Sequence, residues 1–200
     1  VELAVRQARL AGSETSQLAP VAPVVDIAPA KLRKDPRQIP LADKKRLLDE
    51  YNDLIWRVSD KIQTSVIRYA DRAGTTFFAN SEGSYIEQEH VDMSLLVAAI
   101  ARQDGDVQQA HLSAGTSNDF GLLENRHADV EDVARRAVNL LAAKPVKGGT
   151  YTTIVDPVLA GVFVHEAFGH LSEADHVYEN ERLRDLMQLG RRFGPVELNI

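Results

Sequence analysis

The residues of this sequence whose types and spacing could do chemistry lie together, in Gly161-Val162-Phe163-Val164-His165-Glu166-Ala167-Phe168-Gly169-His170. A His-Glu pair followed by a second His, set in an apolar segment, suits a zinc hydrolase. Imidazole nitrogens are good zinc ligands, and an adjacent carboxylate can take a proton from metal-bound water. The two histidines are five apart, H-E-x-x-x-H, whereas the familiar helical form places them four apart. Four residues separate side chains by about 40° around a regular helix, and five by about 140°. Rings five apart on a regular helix would not meet one ion. The spacing therefore predicts a local irregularity, a π-type turn that absorbs one extra residue, with Gly169 supplying the backbone freedom. On pattern alone a plainer reading stays open, because the motif is short and a buried histidine often does no more than satisfy a backbone partner. His176 is a further candidate ligand, and Glu173 and Asp175 could either support ligands or be solvated charges at a helix end. His90, His111 and His127 carry no partner pattern and read as surface or structural residues.

The motif needs a helix to carry it. Asp156-Pro157 is a cap followed by a first-turn proline, a strong start signal. The helix from Pro157 to about Leu171 is apolar on most sides and is expected to be buried. Thr150–Val155 before it reads as a short strand, Tyr178–Leu189 after it as a more charged helix, and Val196–Ile200 as a strand. Upstream, Val1–Ala11 reads as a helix. Residues 13–40 hold five of the eight prolines and read as an extended connector without regular structure. Pro40 opens an amphipathic helix to residue 58, with Leu47, Leu48, Tyr51, Leu54, Ile55 and Val58 on its apolar face. Residues 61–114 read as an antiparallel meander of about five strands, divided at Asp71-Arg72-Ala73-Gly74, Ser81-Glu82-Gly83 and Gln103-Asp104-Gly105-Asp106. Met93, Leu95, Val97 and Ala99 line one of its faces. A second amphipathic helix over 129–143, capped by Asp129, presents Val130, Val133, Ala134, Ala137, Val138 and Leu141. The fold class is thus α+β, with a middle domain over 1–145 and the start of a second, catalytic domain over 146–200.

Composition narrows the function classes. The chain has 200 residues and a net charge of -6. This acidity, and the smallness of the basic cluster Lys31-Leu32-Arg33-Lys34, argue against direct nucleic-acid binding. There is no cysteine, hence no disulfide and no thiolate ligand within these residues, which fits a reducing, cytoplasmic setting. No apolar run reaches the ~18 residues of a membrane span, and Val1–Arg6 does not read as a signal peptide, lacking a positive region followed by an apolar stretch. Without an initiator Met, the chain is expected to begin inside a longer protein.

Gly161–His170 resembles the central motif of the TldD/PmbA family, the TldD-type metalloproteases also described as modulators of DNA gyrase. The flanks are similar too: Lys147-Gly148-Gly149-Thr150-Tyr151 before the motif, Asn80-Ser81-Glu82-Gly83 with the following strands, and Val196–Ile200 at the end. The resemblance implies a zinc peptidase acting on flexible peptides. His165 and His170 match the family's histidine ligands, and Glu166 its catalytic glutamate, which activates a zinc-bound water. The family's third ligand is a cysteine far downstream, expected to lie outside this chain. The implied partners are a peptide substrate and a TldD/PmbA-type subunit in a homo- or heterodimer. A rival reading is a non-catalytic assembly subunit, or a regulator of a DNA enzyme through its partner. With two family-type ligands, the chain by itself is expected to fold through its middle domain, bind zinc weakly, be inactive, and self-associate through the apolar helix.

Overall fold

The fold is α+β, and the computed structural model describes residues 1–11 and 20–198. The chain divides into two compact units, 1–145 and 146–200. In the first, α1 (Glu2–Ala11) precedes β1 (Val25–Ala28), α2 (Leu41–Val58), β2 (Ile62–Ala79), β3 (Tyr85–Gln103), β4 (Asp106–Thr116), a short α3 (Gly121–Glu124) and α4 (His127–Leu140). β3 is the centre of the sheet. β2 pairs along it antiparallel, from Ile62↔Ala101 to Ala79↔Tyr85. β4 pairs antiparallel with its C-terminal half, and β1 parallel with Tyr85–Gln88. The hairpin from β3 to β4 turns on Asp104 (φ 51°) and Gly105 (φ 89°), the two left-handed residues of the tight turn that matches strand twist.

Alternation along β3 makes the core. Val91, Met93, Leu95, Val97, Ala99 and Ala101 are buried, as a strand with one covered face requires. α4 packs against β3 and β4, and α2 against β2 and α4. They contribute Tyr51 and Ile55 from α2, and Val130, Val133, Ala134 and Ala137 from α4. Tyr51 Oη donates to the Leu123 carbonyl (2.5 Å) and accepts from the Arg126 amide (3.2 Å), so the buried phenol is satisfied and ties α2 to the entry of α4.

The structure departs from the sequence reading in identifiable places. Among the described residues the sheet has four strands rather than about five. Asp71-Arg72-Ala73-Gly74 is not a turn: it runs straight through β2, paired with Met93, Asp92, Val91 and His90. Its polar composition reflects exposure, since residues 71–79 are exposed throughout, and Asp71 accepts hydrogen bonds from Tyr69 Oη (2.8 Å) and Lys44 Nζ. The connector is not irregular throughout. Pro23 and Pro29 flank β1, Pro36 opens a 3₁₀ turn capped by the Asp35 carboxylate (2.9 Å to the Arg37 amide), and Arg33 and Lys34 exchange backbone bonds with Asn118 and Phe120. Its residues 13–19 lie outside the described residues. α4 starts two residues before Asp129, which stands in its first turn instead of capping it.

In the second unit α5 (Pro157–Val164) leads into the motif, followed by α6 (Ala174–Glu179) and α7 (Glu181–Leu186). The one charged helix expected over 178–189 is two, because the Asn180 side chain accepts from the Arg182 and Leu183 amides and starts a new helix. Thr150–Val155 forms no strand. Val196–Leu198 is turn and coil, while Asn199 and Ile200 lie outside the described residues. The motif helix is not buried: no described residue of this unit is, and Val158 and Phe163 are 77% and 70% exposed. In an isolated stretch of this size, apolar side chains outnumber the surfaces available to cover them.

The core should answer to cavity formation. Leu95→Ala is expected to lower the unfolding free energy by about 2–5 kcal/mol, and Phe78→Ser, on the exposed half of β2, by no more than about 0.5 kcal/mol, as measured by urea titration. A second expectation concerns acid. Burial pushes the Asp71 carboxyl up, but the bonds from Lys44 and Tyr69 outweigh it and hold its pKa below the ordinary value. A carboxylate with a depressed folded-state pKa contributes stability that is fully present above its unfolded pKa, about 3.9, and lost as pH falls through the folded one. Asp71→Asn should therefore flatten the acid limb of the urea midpoint below about pH 4, where the wild-type chain weakens.

Candidate metal centre

Asp156 caps α5 by accepting from the Leu159 amide (2.7 Å), and Pro157 occupies the first turn. From His165 to Gly169 the helix widens into a π turn, closed by the His170 amide donating to the His165 carbonyl. This is the irregularity that the five-residue spacing demands. Its consequence is direct: the His165 and His170 rings meet edge to face, with centroids 4.5 Å apart and planes at 73°. Gly169 sits at φ -54° and ψ -55°, ordinary right-handed helix, so the widening does not draw on the freedom special to glycine. A Cβ there would stand 3.7 Å from His165 Nδ1, at normal contact distance.

Ligand atoms of His165, Glu166 and His170 all lie within 4.8 Å of one another. Two nitrogens on one zinc at about 2.1 Å each are at most about 4.2 Å apart, and these side chains are exposed. The span of the cluster is close to that limit, and two imidazoles with a carboxylate are a donor set that fits zinc. Glu166 Oε2 lies 3.7 Å from His170 Nε2. On the far side of that ring, Nδ1 is 2.6 Å from Glu173 Oε1, and this bond raises the His170 pKa.

His176 does not join the two motif histidines. Its Nε2 lies 3.7 Å from Glu173 Oε2, and it converges with Glu173 and Asp175 in a second exposed group. His127 stacks edge to face on Tyr51 (5.1 Å), His90 sits in β3 opposite Gly74, and His111 lends its carbonyl to Arg136 Nη2 (3.1 Å). α5, the motif and the last turns of the unit also line an apolar cavity of about 600 Å³, bounded by Phe163, Phe168, Leu171, Met187 and Phe193.

Comparison with known proteins adds the family context. Residues 34–144 match the PmbA/TldA metallopeptidase central domain. A protein named metalloprotease from Synechocystis sp. is 48% identical over 100% of this chain and 43% of its own length. A metalloprotease of Methanothermobacter thermautotrophicus is 32% identical over 91% of the chain and 40% of its own. A zinc metalloprotease TldD homolog of Saccharolobus solfataricus is 34% identical over 70% of the chain and 31% of its own. The chain thus spans less than half the length of these relatives.

Because Gly169 has ordinary helical dihedrals and room for a methyl group, Gly169→Ala should keep the π turn. Far-UV circular dichroism should show helix content unchanged or slightly higher, as alanine favours helix by roughly 1 kcal/mol over glycine. Nuclear Overhauser contacts between the His165 and His170 rings should persist. Their loss would mean that the turn needs the glycine.

Proposed function

The chain belongs to the PmbA/TldD metallopeptidase family, and from that premise we propose that it carries the metal-binding and catalytic motif of a zinc-dependent peptidase acting on flexible peptides. The observation that supports this reading is the π turn, which brings His165, Glu166 and His170 to one place. His165 and His170 would hold the metal through their imidazoles. When bound, zinc supplies a Lewis acid that lowers the pKa of a water toward about 7 and polarises the scissile carbonyl. Glu166 would receive the proton of the attacking water on its carboxylate and return it to the leaving amine. Its side chain is exposed and belongs to the same cluster as both rings, as that task requires. Residues 146–200 would be the opening of the catalytic domain, with the third ligand, a cysteine, contributed from outside these 200 residues. A homo- or heterodimer with a TldD/PmbA-type subunit would be the working assembly, in a cytoplasmic setting. None of the described helices is long and apolar enough to cross a membrane.

The test is Glu166→Gln in a protein of the relatives' full length. Glutamine keeps the shape but cannot take up the proton, so peptide cleavage should fall by roughly 10²–10⁴-fold while the zinc content matches that of the wild type. Cleavage at the wild-type rate would remove Glu166 from the chemistry. A wild-type protein free of zinc after purification and zinc dialysis would remove the metal reading altogether.

A further inference from the structure

We infer that Glu173 is a positioning residue for His170, fixing the tautomer and the direction in which that imidazole offers its lone pair. This rests on the reading of His165 and His170 as metal ligands, and it adds to that reading a residue outside the motif. The Glu173 Oε1 to His170 Nδ1 separation is 2.6 Å. An ionised carboxylate can only accept, so Nδ1 is the nitrogen that carries the hydrogen, and in the neutral ring Nε2 is left as the lone-pair donor. Nε2 is also the nitrogen on the side of the cluster, 3.7 Å from Glu166 Oε2, in the ring that meets His165 at 73°. The bond therefore does two things that metal binding needs: it selects the tautomer and it aims the ring.

The backbone is arranged to deliver that carboxylate. After the π turn the chain tightens into a 3₁₀ turn, His170–Ser172, with the Glu173 amide donating to the His170 carbonyl (3.3 Å) and Ser172 Oγ to the Gly169 carbonyl (2.8 Å). Glu173 then leaves the helix at φ -65° and ψ 135° and stands at the N-cap of α6, yet its side chain makes no capping bond to that helix. A residue in this place ordinarily turns its oxygen to the free amides ahead of it. Here the carboxylate reaches back to His170, and its second oxygen lies 3.7 Å from His176 Nε2. A carboxylate holding the outer nitrogen of a ligating imidazole is worth about 10–100-fold in metal affinity.

The experiment uses the 200-residue chain at a pH above the His170 midpoint, which the ring resonances themselves report, so that the ring is neutral although Glu173 raises its pKa. Nitrogen-correlated NMR of the His170 ring reads the tautomer without metal, and a zinc titration followed on the His165 and His170 ring resonances reads affinity even when it is weak. The wild type should hold the Nδ1–H tautomer. Glu173→Ala should release it and weaken zinc by about 10–100-fold. Asp175→Asn, which removes the same charge two residues away, should change neither. An unchanged tautomer in Glu173→Ala, or an equal loss of zinc in both variants, overturns the assignment and leaves the metal reading standing. Ring resonances of wild-type His165 and His170 that do not respond to zinc overturn the positioning role in this chain, while the metal reading is decided by the zinc content of the protein of full length.

Discussion

Strand β3 is hydrogen-bonded to each of the other three strands of the sheet, and the first unit depends on its register. Hydrogen bonds alone would not hold that register, because a ladder slipped by one residue re-forms nearly all of its bonds. Side-chain burial holds it. A one-residue slip would turn Met93, Leu95 and Val97 away from the helices and bring Ser94 and Asp92 toward them. Each of the large apolar side chains is worth about 1.5–3 kcal/mol when buried, so the buried set decides the pairing. β2, β4 and β1 take their registers from β3, while α4 sits on β3 and β4 and α2 on β2 and α4, around the one core that β3 lines.

The second unit is built on a different principle. No described residue in it is buried, so the motif is held by local hydrogen bonds and by half-exposed contacts such as Phe168 on Phe193 (5.1 Å) rather than by a core. The Asp156 cap sets where α5 begins, the His170 amide closes the π turn, and Asn180 restarts the chain as α7. Each bond joins residues at most five apart in the chain. Such bonds fix direction well and stability poorly, since a typical one contributes only about 0.5–1.5 kcal/mol net.

Much of this architecture is legible in the sequence, for physical reasons. The apolar faces of α2, β3 and α4 follow from periods of 3.6 and 2, and Tyr51, Ile55, Met93, Leu95, Val97, Val130, Val133, Ala134 and Ala137 are all buried as those periods require. Arithmetic on helix angles is enough to demand a π turn between His165 and His170, and the helix widens there. The features that composition hides are decided by partners distant in sequence. Asp71–Gly74 has the composition of a turn and becomes strand because β3 offers it a ladder. β1 is too short and too proline-flanked to announce itself, and forms because Tyr85–Gln88 is there to pair with it. The expectation that α5 is buried comes from its apolar composition, which reports a demand for cover rather than its presence. Gly169 is a smaller case: glycine permits unusual dihedrals, but a π turn can be made with helical ones.

The two imidazoles of the motif are held to different degrees, and this bears on how such a site would work. His170 has its ring pinned from the Nδ1 side by Glu173 and faces Glu166 on the other. His165 is held by the edge-to-face contact with that ring. If both are ligands, the cost of ordering a side chain on binding, about 0.5–1.5 kcal/mol for each one immobilised, falls mainly on His165, because His170 is already ordered. His170 would then be the anchor to which a metal first attaches, and His165 the ligand that closes on it. The same asymmetry explains why the π turn matters more than the presence of two histidines. By placing the looser ring against the ordered one, it limits the search of His165 to a small rotation about a partner already in place.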